Sequence, residues 1–343
     1  MSESVLNQPH ARGVSGAIRV RAPARLHLGF IDLNGDLGRR FGSIGLAIDG
    51  CDAVVTARLA AHTAVQGVAG ARAQSVIEQL RQSFGDIPHL SINIEHAPPA
   101  HAGLGSGTQL ALAVASACMQ VLGRAYSPRE LAPHIGRGER SGIGIAAFEG
   151  GGFVVDGGRG KETRVAPLLA RLDFPAEWRA LLIFDEVDEG LSGSREQAVF
   201  NTLAPMSGAV AGELARWCLV RMLPAVAEHN FASFSEAVAE VQQRVGDYFA
   251  EAQGGSLYTS GKVARVIAAL QAEFGVQGVG QSSWGPTGFV FAPTAALAHT
   301  MREFGEREFA TPLGLRLRVV AAANRGAIID QVADTLGTAR EST

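Results

Sequence analysis

The chain has 343 residues, of which 47% are hydrophobic and 18% charged, with a formal net charge of −3. That length exceeds one ordinary core and calls for two domains, and the apolar content excludes a disordered chain. No basic stripe or aromatic-interleaved basic patch runs through it, which argues against nucleic acid as a partner.

Residues 1–16 hold Asn7, Gln8, Pro9, His10 and Arg12 without an apolar run, so they read as a flexible leader, not a signal peptide. Strands are predicted over residues 18–22, 42–49 and 51–59, and a helix over 75–84. Leu90, Ile92 and Ile94 alternate as a strand over 90–96, which Pro98 and Pro99 end. Gly103-Leu104-Gly105-Ser106-Gly107-Thr108 then turns into a helix with Leu110, Val114, Ala117, Cys118 and Val121 on one stripe. Its glycines allow close backbone approach, Ser106 and Thr108 offer caps and hydroxyls, and the helix's positive end faces the loop, which suits phosphate. A tight connection that binds nothing is the plainer alternative. The apolar run 110–122 is too short to cross a membrane.

Ser127, Pro128 and Glu130 form a capping box for the next helix. Strands follow near 150–156 and 180–184. Helices are expected over 213–226, 231–249, 262–274 and 294–304, with a late strand over 315–321. A second glycine-rich stretch lies between, at Gly278 to Gly288. The order is α+β, with one domain over residues 17–170 and another over 171–343. Cys51, Cys118 and Cys218 are odd in number and far apart, so neither a disulfide framework nor a zinc site is expected, and a cytoplasmic location fits.

Three glycine-bearing motifs in this order, Ala22 to Gly35, Pro98 to Thr108 and Gly278 to Gly288, resemble the GHMP kinase superfamily. The resemblance implies an N-terminal domain like the second domain of ribosomal protein S5, a ferredoxin-like C-terminal domain, and a ligand cleft between them. The kinases carry Ser-Gly-x-Asp, whose aspartate serves many of them as base. Here Ser141-Gly142-Ile143-Gly144 has glycine in its place, and Gly107 stands where they usually have serine. A glycine side chain takes no proton, so phosphoryl transfer loses its expected base.

Arg39 to Asp49, Arg140 to Gly158, Gly190 to Glu196 with Phe200, and Gln281 to Pro286 are similar to the β-ribofuranosylaminobenzene 5'-phosphate synthases within that superfamily. That resemblance implies decarboxylating transfer of a phosphoribosyl group from phosphoribosyl pyrophosphate to 4-aminobenzoate, or to 4-hydroxybenzoate. It also implies Mg²⁺, a homodimer, and a place in tetrahydromethanopterin synthesis. Gly103 to Thr108 would then hold the pyrophosphate.

Candidate residues carry a plainer alternative each. Arg25 and His27 alternate on one strand and face either the cleft or solvent. Asp32 would bind Mg²⁺ or a ribose hydroxyl, or simply make a turn. Arg39 and Arg40 would clamp the ribose phosphate or the benzoate carboxylate, or remain solvated. Glu139, Arg140 and Ser141 precede the altered kinase motif. Gln281, Ser282, Ser283 and Trp284 form the third motif, and Trp284 would stack on the aromatic ring or fill a core. The rival readings are a kinase using Asp156 or Asp185 as base, and a ligand-sensing relative without activity.

Overall fold

The computed structural model describes residues 16–185 and 202–333. Nearly all of the expected leader lies outside these residues, as do the Gly190 to Glu196 stretch and Phe200. Two long antiparallel strands, β1 (Ala17–Asp32) and β2 (Arg39–Leu59), replace the shorter strands the sequence suggested. Pro23 interrupts the pattern because it has no N–H for a ladder. A register shift between Ala22 and Ala24 absorbs it, opposite residues 49–52 of β2.

β3 (Ala64–Gly67), α1 (Gly70–Phe84), β4 (Leu90–His96), α2 (Ser106–Val121), α3 (Pro128–Leu131), α4 (Ile143–Gly150), β5 (Phe153–Asp156), β6 (Arg159–Gly160) and β7 (Leu168–Leu172) complete the first half. The Ser127 box forms as expected, with Ser127 Oγ accepting from Glu130 N at 3.2 Å and Glu130 Oε2 from Ser127 N at 2.8 Å.

The shift at Pro23 also changes the face that β1 buries. Ile18, Val20 and Ala22 pack with α1 and α2, whereas Ala24, Leu26, Leu28 and Phe30 enter a core shared with the second half of the chain. Arg25 lies on the opposite face, against the N-terminus of α2.

The second half contains β8 (Arg179–Asp185), α5 (Gly208–Arg216), a π-helical segment Trp217–Met222, α6 (Leu223–Ala227), α7 (Phe231–Phe249), α8 (Gly261–Phe274), β9 (Val279–Gln281), β10 (Gly288–Ala292), α9 (Ala295–Gly305), β11 (Leu315–Val320) and β12 (Ile328–Val332). Its sheet has the antiparallel order β11-β8-β10-β9. Between Arg179 and Asp185, β8 is apolar because both its faces are covered: Ala180, Leu182 and Phe184 join the shared core, and Leu181 and Ile183 pack with residues of α8 and α9. The shared core is aromatic at its centre, where Phe234 meets Phe291 edge-on at 5.0 Å and lies tilted by 31° against Trp178 at 5.2 Å.

The chain does not stay in the second half. β12, which the hydrophobic pattern did not suggest, pairs antiparallel with β1 from Ala17↔Val332 to Arg21↔Ile328 and extends the order β12-β1-β2-β4-β3. β7 likewise joins the first sheet through β5. The return path crosses Gly151 and Gly152, where Gly152 N donates to Ala323 O at 2.7 Å and Ala323 N to Ala47 O at 2.9 Å. Gly151 has φ +64°, and a Cβ there would stand 2.3 Å from Ala323 O and 2.4 Å from Arg325 O.

Gly151→Ala is therefore expected to cost more than about 2 kcal/mol and to loosen the last strand. Thermal unfolding and hydrogen exchange at residues 323–332 check this.

Candidate active site

The glycine-rich loop opens with His101 and Gly103 at positive φ and ends on Gly105, the N-cap of α2, at φ +72°. No side chain caps the helix, so Ser106 and Thr108 do not act as the caps the sequence suggested. Thr108 N and Gln109 N donate to Gly105 O, while the amides of Ser106 and Gly107 lie in the helix's unpaired first turn.

This loop packs directly on the third motif. A Cβ on Gly103 would lie 2.0 Å from Ser282 O, and one on Gly285 would lie 2.3 Å from Gly103 N. Ser282 Oγ donates to Gly103 O at 2.7 Å and accepts from His27 N at 3.0 Å. Ser283 N, with Ser283 at φ +56°, donates to His27 O at 3.2 Å, and Arg25 N donates to Leu104 O at 3.1 Å. The three motifs, far apart in the chain, thus meet along one edge of β1.

Cations surround the loop. The Arg25 side chain donates to Gly103 O and lies against Gly105, its Cζ 3.2 Å from the position a Cβ would take. Arg137 was missed by the sequence reading, yet its guanidinium lies 3.6–3.8 Å from the Cβ position of Gly107. A Cβ at position 107 would be in ordinary van der Waals contact with it. Burial and nearby Arg72 hold Arg137 below its ordinary pKa, while Glu139 opposes them. Arg72 itself reaches His101 at 3.2 Å. The signal for Arg137 was a single arginine between Gly136 and Gly138, both at positive φ, just ahead of the altered kinase motif.

Gly144 has a packing reason. It sits where α4 crosses α2, with Thr108 Cγ2 3.1 Å from its Cβ position and Gln109 Nε2 donating to Gly144 O at 2.7 Å. An aspartate there would press on Thr108. The alternative bases are engaged elsewhere. Asp156 accepts from Gly142 N and Gly158 N, both at 2.8 Å, and burial raises its pKa against those bonds. Asp185 accepts from Ser260 Oγ at 2.7 Å and Lys262 Nζ at 3.3 Å.

Other sequence candidates have structural partners. Asp32 Oδ1 accepts from Asn34 N at 2.7 Å and Gly35 N at 3.1 Å, an Asx turn. Arg39 is exposed and donates to Gly157 O and Gly158 O, and Arg40 lies over the Phe41 ring. Neither arginine has a described contact with the glycine loop. Glu139 is exposed and its carbonyl accepts from Arg159, while Ser141 bridges Asp156 and Ile143 N. Among the described residues no group of three or more His, Cys, Asp or Glu is placed to hold a metal ion.

A pocket adjoins the cradle, bounded by His27 and Phe30 of β1, Gln242, Val245 and Phe249 of α7, and Trp284. Trp284 is buried and meets Phe249 edge-on at 4.5 Å, so it is wall and core together. Gln242 also escaped the sequence reading. It donates to Leu28 O at 2.7 Å and accepts from Gln281 N at 2.9 Å, locking β1 to the third motif. Its signal was a glutamine within the apolar stripe Val238, Val241, Val245 and Phe249. Gln281 is further held by Thr259 N and Gln253.

His27 is neutral near pH 7, because burial first, then Arg25 and Arg140, hold its pKa well below 6.5.

This architecture is the GHMP fold. Residues 71–152 match the family described as GHMP kinases N terminal domain. Homoserine kinase from Cytophaga hutchinsonii superposes with TM-score 0.62 at 18% identity, covering 94% of this chain and 100% of its own. Mevalonate diphosphate decarboxylase from Staphylococcus aureus gives 0.67 at 14% identity, covering 92% and 98%. Sequence relatives are nearer. Proteins named β-ribofuranosylphenol 5'-phosphate synthase are 32% identical over 289 residues in Methanothermobacter thermautotrophicus (78% of this chain, 86% of that protein) and 32% over 327 residues in Archaeoglobus fulgidus (91% and 99%). The chain belongs to this synthase family, and it is an enzyme.

Protonation of His27 opposes folding. Its folded pKa lies below the unfolded value near 6.5, so as pH falls the unfolded chain takes up the proton first. Stability is full above about pH 6.5 and falls by up to about 1.4 kcal/mol per pH unit below it, until the folded pKa is reached. Urea unfolding of the wild type and His27→Gln from pH 7.5 to about 5 should show this slope in the wild type and a shallower one in the variant.

Proposed function

We propose that the enzyme joins phosphoribosyl pyrophosphate to 4-hydroxybenzoate or 4-aminobenzoate, releasing carbon dioxide and pyrophosphate and leaving a carbon-linked riboside 5'-phosphate. One observation carries the reading. The loop and α2 terminus that serve phosphates in the GHMP fold are kept and lined by Arg25 and Arg137, while glycine, packed against Thr108, fills the position of the kinase base.

The chemistry fits that combination. As the C1–O bond to pyrophosphate breaks, positive charge develops at ribose C1. The ring carbon bearing the carboxylate, made electron-rich by its para substituent, forms the new bond there. The carboxylate then leaves as carbon dioxide, and its bonding pair restores the aromatic ring. The attacking carbon has no proton to lose, so no strong base is needed. The demands are placement and stabilisation of the departing anion. The amides of Ser106 and Gly107 and the guanidinium groups of Arg25 and Arg137 supply the second, with no proton transfer at His27.

Mg²⁺ belongs to the proposal as an ion carried mainly by the pyrophosphate oxygens, for which few protein ligands suffice. Asp32, with Oδ1 already in its turn, is the carboxylate of the first motif that would approach it. Homodimerisation, a cytoplasmic location and a place in tetrahydromethanopterin synthesis come from the family resemblance, and the three free cysteines agree with a reducing compartment. The kinase reading is weakened by the hydrogen bonds that engage Asp156 and Asp185.

Purified protein incubated with phosphoribosyl pyrophosphate, Mg²⁺ and carboxyl-labelled 4-hydroxybenzoate or 4-aminobenzoate should release labelled carbon dioxide. No release from either acid, with ATP consumed on homoserine or mevalonate, would overturn the reading. Arg137→Met should raise KM for phosphoribosyl pyrophosphate about 10- to 100-fold and leave KM for the aromatic acid nearly unchanged, as expected for one lost charge-assisted contact. Steady-state kinetics with each substrate varied in turn check this.

A further inference from the structure

The pocket beside the cradle has a different chemistry from the cradle itself. A small cleft, open to solvent, lies between β1, α7 and the third motif. Phe30, Val245, Phe249 and Trp284 supply apolar and aromatic walls, and no Asp, Glu, Lys or Arg is among the described residues lining it. A phosphate would lose its hydration there without a compensating cation. An aromatic ring would meet ring edges suited to it.

Polar groups in the pocket are unequally engaged. Both ends of the Gln242 amide are used, and the Gln281 and Gln253 amides bond to each other and to Thr259. His27 differs. Gly29 N donates to His27 Nδ1 at 3.3 Å, so Nδ1 is the acceptor nitrogen and the proton of the neutral ring lies on Nε2. His27 is 3% exposed, and its Nε2 has no hydrogen-bond partner among the described residues. Nε2 is sealed from solvent on a residue that lines the pocket, so a ligand that displaces its cover would bring the missing acceptor.

We propose that this pocket is the subsite for the aromatic acid, its ring against Phe249 and Trp284, and that His27 Nε2–H donates to one of its oxygens. The inference rests on the reaction proposed above and assigns the half of it that the cationic cradle does not serve. A para hydroxyl or the carboxylate accepts such a bond. An aromatic amine, whose lone pair is drawn into the ring, accepts it poorly. If the donor meets the para group, 4-hydroxybenzoate is preferred over 4-aminobenzoate and the preference depends on His27. If it meets the carboxylate, both acids depend on His27 equally.

Equilibrium binding of 4-hydroxybenzoate and 4-aminobenzoate, with ribose 5-phosphate and pyrophosphate present, tests this through quenching of Trp284 fluorescence, with Trp284→Phe as the blank. His27→Phe should weaken binding of at least one acid about tenfold or more. His27→Gln, which keeps a donor, should restore most of it, and Val245→Phe, which fills the space, should weaken both acids. KM for phosphoribosyl pyrophosphate should stay within about twofold in all three. Wild-type affinity for both acids in folded His27→Phe and Val245→Phe would overturn the assignment, as would the absence of quenching in the wild type. Binding that follows this pattern without release of carbon dioxide by the wild type would overturn the reaction and leave the subsite standing.

Discussion

The outer edge of β1 after Arg21 is the constraint on which the site depends. β12 covers that edge only as far as Arg21, which leaves buried peptide groups from Arg25 to Leu28 in need of partners. Arg25 N is met by Leu104 O, His27 N by Ser282 Oγ, His27 O by Ser283 N, and Leu28 O by Gln242. The partners come from three separate parts of the chain. Satisfying one strand edge therefore fixes the phosphate loop, the third motif and α7 against one another, and the glycines at 103 and 285 are there because this contact leaves no space for a side chain.

The same edge divides the surroundings by charge. On one side the open first turn of α2 faces Arg25 and Arg137. On the other, around Phe30, Phe249 and Trp284, none of the described lining residues carries a formal charge. His27 stands between them, and its neutrality follows from the division: burial and the nearby arginines disfavour a further positive charge. A reaction that brings a polyanion and an aromatic ring together needs two such environments within bonding distance of each other. Gly144, packed against Thr108 and bonded to Gln109, offers no side chain to either.

Local features were legible because they depend on neighbouring residues. The Ser127 box, the strand at 90–96 and the helix at 231–249 follow from capping and periodicity alone. β1 was read too short because Pro23 looks like a stop until the bulge opposite it is known. β12 escaped notice because its residues are mostly exposed, so no apolar alternation marks it, and its only reason to be extended is the edge of β1. Arg39 and Asp32 drew attention by residue type, yet a carbonyl pair and an Asx turn account for their described hydrogen bonds. Arg137 and Gln242 drew none, since a charged residue between glycines and an amide in an apolar stripe acquire meaning only from what packs beside them.

By itself the sequence determined the family and the longer helices and strands, because each is written in residues that are close together or in fixed succession. Only the tertiary structure decided which atoms face one another. The distance from Gly103 to Ser282, the approach of Arg137 to Gly107 and the unmet Nε2–H of His27 arise from segments far apart in the chain, brought together by backbone groups that had to find partners once water was excluded.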